Sequence, residues 1–285
     1  MMSEIVLVKS IKSGDGDLNY PSGICYYEKN NVFYIADMQN HRICWLKEDG
    51  SIGELPNSIA CSDICPTLMR PLALWITNHG TLFVADAEQN NIFYKTQQEE
   101  VWRPIKIDSE FTFNFPAGVT VDEIGNIYTN DFLNNRLVKI TPDGEVSVLL
   151  EGSENINKPY GIYYHNNKLY YTDTGNARIC YLDIKDNQVH ILNPQAETKE
   201  LSYPIAITLD MKGNIYVCEQ RRMYLIDINT NVLSLILNQD IWKEQMQRHY
   251  IKDRICHIGA AFVKNKGEIY WVDTIKGCIY KTIIK

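Results

Sequence analysis

Short bursts of apolar residues punctuated by polar turns run the length of this chain, and the clearest stretch is Pro21 to Leu55, PSGICYYEKNNVFYIADMQNHRICWLKEDGSIGEL. Four runs rich in β-branched and aromatic residues are parted by turn clusters at Lys29-Asn30-Asn31, Met38-Gln39-Asn40 and Lys47-Glu48-Asp49-Gly50, which predicts a four-stranded antiparallel meander. One such sheet cannot bury its faces alone. The pattern returns at Pro71, Pro116, Pro159 and Pro204, at spacings of 50, 45, 43 and 45, and in degraded form at Ile258, 54 further on. A second marker keeps phase with the first. An acidic residue closes the second strand of each unit (Asp37, Asp86, Asp131, Asp173, Glu219, Asp273), and in five units an aliphatic residue follows six positions later (Ile43, Ile92, Leu137, Ile179, Ile279). Two markers in phase predict six units.

The best copies spell Asp-x-x-Asn-x-Arg-Ile/Leu, as DMQNHRI from Asp37, DFLNNRL from Asp131 and DTGNARI from Asp173. With Asn40-His41-Arg42-Ile43 in the first copy, residues 21 to 283 resemble the NHL repeat family of six-bladed β-propellers. That resemblance implies an all-β fold of four-stranded antiparallel blades. The copies at Asp86 (DAEQNNI) and Asp273 (DTIKGCI) lack the Arg, and Glu219-Gln220-Arg221-Arg222 departs furthest, so a shortened turn is expected in the fifth blade.

The sixth unit offers strands near Gly259 to Val263, Glu268 to Asp273 and Cys278 to Ile283, one short of a blade. An unpaired edge invites association. The unassigned run Glu4 to Ser10 is therefore expected to pair as the outer strand of the last blade and close the ring. Two connections are long, 56–70 and 238–257, and both are expected on the face where the inner strands begin. In the latter, Ile241, Trp242, Gln245, Met246 and His249 form one stripe of a short helix.

Composition narrows the classes. An apolar fraction of 45% without a long uninterrupted apolar run describes a soluble domain and no transmembrane helix, and the repeat leaves room for one domain over 1–285. The N-terminus fails as a signal peptide, so a cytoplasmic location is expected. Eight cysteines fit a reducing compartment, because Cys25, Cys44, Cys180 and Cys278 fall inside predicted strands. A net charge of -7 argues against a nucleic-acid partner.

Repeated residues are expected to serve the fold, the acids as turn caps and Arg42, Arg136 and Arg178 as blade-to-blade staples. Function is expected where the units differ. The residue opening each inner strand is Tyr20, Arg70, Phe115, Lys158, Tyr203 or His257, a set of cations, aromatics and one imidazole suited to a small molecule with an anionic or carbonyl group and a flat ring. The 238–257 segment adds His249, Tyr250 and Arg254, the first two as material for proton transfer. A weaker pattern sets Cys61 and Cys65 with Cys256-His257 as zinc-type ligands, and Cys218 as a thiol nucleophile lacks an activating His nearby. No metal set is specified and no cofactor is named.

Enzymatic propellers give partial matches. Gluconolactonase and regucalcin-like enzymes, which this chain resembles in architecture, hold a central metal on acidic and amide side chains. Asn130-Asp131 is the nearest match, while Ser22 and Gly23 stand where that family has a Glu. Peptidylglycine amidating lyases need several pocket histidines, and only His257 lies near the mouth. In strictosidine synthase-like propellers a carboxylate handles the condensation, a part Glu219 is placed to play. P-loop, dinucleotide-loop and G-x-S-x-G motifs are absent. The expected function is a monomeric small-molecule enzyme of lyase, cyclase or hydrolase type, with catalytic candidates His249, Tyr250, His257 and Glu219. The alternative is a non-catalytic scaffold that docks a protein partner.

Overall fold

Six antiparallel sheets stand as blades around one axis in the computed structural model, which describes residues 3–10, 18–60, 67–192, 195–196, 201–247, 254–264 and 267–284. The fold is a six-bladed β-propeller. Blade one runs Pro21–Tyr27, Val32–Asp37, Arg42–Lys47 and Ile52–Glu54 in hydrogen-bonded order from axis to rim. Every position of Val32–Asp37 is buried, as is every position of Pro116–Val121 and Ile127–Asp131 in blade three, because both faces of these strands pack on neighbouring blades. Continuous apolar runs follow from that. At the rim the demand lapses, and Gln188–Leu192 is exposed at four of its five positions.

The core is divided into clusters lying between neighbouring blades. Phe33, Ile35 and Leu46 of blade one meet Tyr270, Val272 and Ile279 of blade six, and Tyr34 and Ile43 meet Leu74 and Val84 of blade two. Near the axis the inner strands pass too closely for a side chain at some points. A Cβ on Gly23 would stand 2.7 Å from the Leu72 carbonyl oxygen, and one on Gly161 2.9 Å from that of Ile205. Backbone atoms cannot swing aside, so glycine is required there.

The ring closes as expected. Ser3–Ser10 pairs antiparallel with Cys278–Ile284, from Ser3 opposite Ile284 to Ser10 opposite Cys278, with a bulge between Leu7 and Lys9. Both ends of the chain thus share blade six, and its outer edge is covered. Blade five differs from the four-stranded expectation, because Gln195–Ala196 adds a short fifth strand parallel to Val232–Leu237. Its second hairpin has the shortened turn, with Glu219 opposite Arg222.

Both long connections are pinned by tryptophan. Asn238 caps the helix Gln239–Gln247 through its Oδ1, which accepts from the N–H groups of Asp240 and Ile241 at 3.1 and 2.9 Å. Trp242 of this helix is fully buried, edge-on to Trp271 and Tyr280 at 5.8 and 4.8 Å, which ties it into the cluster between blades five and six. The earlier connection is stitched to Trp102 of blade two, whose N–H donates to the Ser58 carbonyl and whose indole donates to that of Pro56. Among the described residues no helix is long and apolar enough to cross a membrane.

Candidate functional site

The acidic residues sit where the second strand meets the face at which inner strands begin, here called the entry face. In blades one, three and four the same device recurs. Oδ1 of Asp37, Asp131 or Asp173 accepts the backbone N–H of Asn19, Asn114 or Asn157, two residues before the proline, at 2.6 to 2.7 Å. Oδ2 accepts from the Asn three positions on and from the Arg Nε five positions on, at 2.6 to 2.9 Å. The Asp-x-x-Asn-x-Arg spacing is what lets one buried carboxylate collect these donors. Arg136 and Arg178 then donate through Nη2 to the carbonyls of Thr112 and Asn155 in the incoming connections. These arginines clip the turn to the connection that arrives from the preceding blade.

In blades two, five and six the acid caps two consecutive N–H groups instead. Asp86 takes Met69 and Arg70, Glu219 takes Ser202 and Tyr203, and Asp273 takes Cys256 and His257. Glu219, a catalytic candidate from sequence, is buried with its carboxylate engaged in this way.

The two devices split the predicted rim residues into two triads. Tyr20, Phe115 and Lys158 are left-handed, with φ of 54, 61 and 48°, while Arg70, Tyr203 and His257 are not. A non-glycine residue held there costs about 1–3 kcal/mol, so these turns are over-determined by the bonds around them. Phe115 and Lys158 N–H groups donate to Asn90 and Asn135 Oδ1 of the preceding blade, at 2.7 and 2.8 Å. Tyr20 and Lys158 end up exposed, as does Tyr203 of the other triad. Arg70 and His257 turn a nitrogen inward, and Arg70 Nε and His257 Nδ1 are buried with no hydrogen-bond partner among the described residues. Burial, with nearby Arg221 assisting and Asp273 opposing, lowers the His257 pKa below its ordinary value, so the ring is neutral at pH 7.

An aromatic arc crosses the same mouth. The Arg70 guanidinium lies 5.3 Å from the Phe115 ring, Phe115 is 5.5 Å from Phe132, and Phe132 is edge-on to Tyr160 at 5.7 Å. Burial pushes the Tyr160 phenol up to about 12, with Arg70 pulling it back and Tyr203 adding to the rise, so all three lie within electrostatic reach. Sequence reasoning missed Tyr160, Phe132 and Thr274. The available signal was position: Phe132 and Thr274 follow the acid of their turns, and Tyr160 follows the proline at a register slip in its strand. Such a bulge re-aims a side chain. Thr274 Oγ1 is also buried without a partner among the described residues.

Other candidates fall elsewhere. Arg254 is exposed, and His249, Tyr250, Cys61 and Cys65 lie outside the described residues. Cys218 is fully buried and its thiol is pushed up to about 12 by that burial, which suits a packing group. Asn130 is buried with neither amide atom paired among the described residues, beside an Asp131 whose carboxylate is already engaged. Among the described residues no cluster of three or more His, Cys, Asp or Glu is placed to hold a metal ion.

The channel itself holds a cavity of 640 Å³ bounded by all six inner strands. It reaches the opposite, far face at the turns bearing Glu28, Lys29, Asn78 and Met211, all exposed. None of the six entry-face rim residues lines it. At the entry end Leu72 and Ala117 cluster with Met38, Phe115, Phe132 and Tyr160.

No protein-family model matches the sequence, and no curated protein does. Solved structures do. A gluconolactonase from Xanthomonas campestris is 12% identical with a TM-score of 0.74, over 99% of this chain and 90% of that one. A catalytically inactive histidine-to-alanine variant of virginiamycin B lyase from Staphylococcus aureus, with quinupristin, is 14% identical with a TM-score of 0.66, over 99% and 100%. A chain of a nidogen/laminin complex is 17% identical with a TM-score of 0.65, over 82% and 93%. At such identities the likeness shows the six-bladed propeller fold.

Proposed function

We propose that this chain is an NHL-type propeller, one domain over 1–285, that binds a small molecule at the entry face and acts on it by proton transfer. The observation that carries the reading is the pair of buried, unpartnered nitrogens at that mouth, Arg70 Nε and His257 Nδ1. Leaving such a group unpaired costs about 1–3 kcal/mol, a cost a purely structural residue avoids by pairing. A neutral imidazole is a base at pH 7, and a guanidinium stabilises negative charge forming on an oxygen. His257 takes a proton from a carbon beside a carbonyl, or from a water attacking one, while Arg70 holds the resulting oxyanion and the Phe115–Phe132–Tyr160 arc seats a flat group. Reactions of lyase, cyclase or hydrolase type share that step. Support comes from two enzymes of the same fold, a gluconolactonase and a virginiamycin B lyase that is inactive when one histidine becomes alanine. The protein acts as a cytoplasmic monomer in this reading.

A scaffold role is favoured by one feature, the exposure of Tyr20 and Tyr203, at 43% and 42%, on the same face. A thermal-shift screen against a metabolite panel and divalent metals, repeated with chelator, separates the two. A compound that raises the melting temperature in proportion to its concentration, with the rise lost in His257→Ala and reduced in Tyr20→Ala and Lys158→Ala, supports the enzyme. If all three variants keep full binding, the entry-face site is wrong. A flat response to the whole panel favours the scaffold.

A further inference from the structure

The far half of the channel is built unlike the entry mouth. Trp75 of blade two and Tyr163 of blade four come edge-to-face at 5.1 Å and 76°, reaching past blade three, and both line the cavity. On the other wall Tyr26 and Phe262 stand 5.9 Å apart. Each of these rings packs against a core cluster between blades and also lines the cavity. Trp102, Trp242 and Trp271 are fully buried, whereas Trp75, Tyr163, Tyr26 and Phe262 are only partly covered and present ring surface to the cavity.

The polar groups define what fits between them. Tyr163 lines the cavity, and burial, with Asp210 adding, pushes its pKa up to about 12, so its hydroxyl remains a neutral donor. Charged groups near the rim are of both signs, and Asp210 and Lys264 already have hydrogen-bond partners. Asp210 accepts from the N–H groups of Lys212 and Asn214, from the Asn214 amide and from Tyr216, and Lys264 is bonded to Glu48. Glu28 and Lys29 are of opposite sign and adjacent. A site with such a rim does not select an ion. The whole cavity, from Leu72, Ala117 and Tyr160 at the entry end to the far face, measures 640 Å³, inside the range of about 300–1,000 Å³ usual for small-molecule sites.

We infer that the far end of the channel is a binding site for a neutral, planar aromatic molecule bearing a hydrogen-bond acceptor. The flat group lies against Trp75 and Tyr163, and its acceptor, a carbonyl or ether oxygen, receives the Tyr163 hydroxyl. The same cavity reaches Leu72, Ala117 and Tyr160 at the entry end, and the site inferred lies at its other end, against Trp75 and Tyr163.

The test uses the full chain and a neutral naphthalene ketone dye, 6-propionyl-2-dimethylaminonaphthalene, whose emission shifts to the blue in a dry apolar site. One saturable site per chain is expected. Trp75→Leu should weaken binding about tenfold, the scale of a lost aromatic contact. Tyr163→Phe, which keeps the ring and removes the donor, should weaken it about fivefold. Circular dichroism and melting temperature establish that each variant is folded, and Tyr163→Leu serves if Trp75→Leu is not. Titrating His257→Ala tells the two ends of the channel apart, and unchanged affinity for the dye supports the far site. No saturable binding to the wild type overturns the inference, as does affinity unaltered in every folded Trp75 and Tyr163 variant. Loss of binding in His257→Ala with wild-type affinity in Trp75→Leu overturns it too.

Discussion

Replacing Asp131 by alanine is the sharpest perturbation of the repeat. Its side chain is fully buried and holds three donors: the Asn114 N–H at 2.6 Å, the Asn134 amide at 2.9 Å and Arg136 Nε at 2.6 Å. Truncation strands all three. Breaking a buried ion pair by removing one partner costs about 3–5 kcal/mol. Arg136 retains 19% exposure and Nη2 still donates to Thr112, so part of its charge is re-solvated and the lower end, about 3 kcal/mol, is expected. At roughly 2 °C per kcal/mol for a chain of this size, the melting temperature should fall by about 6 °C. Urea denaturation of Asp131→Ala, Arg136→Ala and the double variant gives the coupling between the two, expected at about 1–3 kcal/mol. A loss below about 1 kcal/mol for Asp131→Ala, or a coupling near zero, would refute the reading of the motif as a turn clamp.

Three further outcomes follow from the same structure. Trp242→Ala should cost about 3–5 kcal/mol in equilibrium unfolding, because the fully buried indole packs on Trp271 and Tyr280 and the helix cannot close the gap. Deleting residues 1–10 bares the Cys278–Ile284 edge, and sedimentation should then show self-association absent from the intact chain. For pH, His257 is held neutral in the fold by a lowered pKa, so the unfolded chain binds the proton more readily. Its contribution to stability is complete above the ordinary imidazole value of about 6.5 and declines as pH falls below it, and a pH-resolved urea series should lose that slope in His257→Gln.

Much of the fold was legible because its determinants are local. Turn chemistry and strand composition repeat with a fixed period, so the Pro and acid markers located six blades. The leftover run Glu4 to Ser10 was assigned by the need to cover an edge, and the pairing of Ser3–Ser10 with Cys278–Ile284 bears this out. A helix was likewise legible within 238–257 from its apolar stripe, while its Asn238 cap was seen only in the structure. The Asp-x-x-Asn-x-Arg spacing marked the turns, though only coordinates showed that Arg136 reaches Thr112 in the connection arriving from blade two.

The site was less legible, since it is made where blades converge. By sequence, Tyr20, Arg70, Phe115, Lys158, Tyr203 and His257 are equivalent rim positions. The structure splits them by backbone, left-handed in three and not in the others, according to whether each acid caps one preceding N–H or two. Arg70 and His257 of the second group bury a nitrogen, while Tyr203 of that group and Lys158 of the first face water. Tyr160 joins the mouth because a strand bulge turns it there, and Trp75 meets Tyr163 across an intervening blade. Local sequence fixes which strands form and where they turn. Which side chains converge on the axis, and at which end the channel opens, depends on how closely the inner strands approach once the ring is closed.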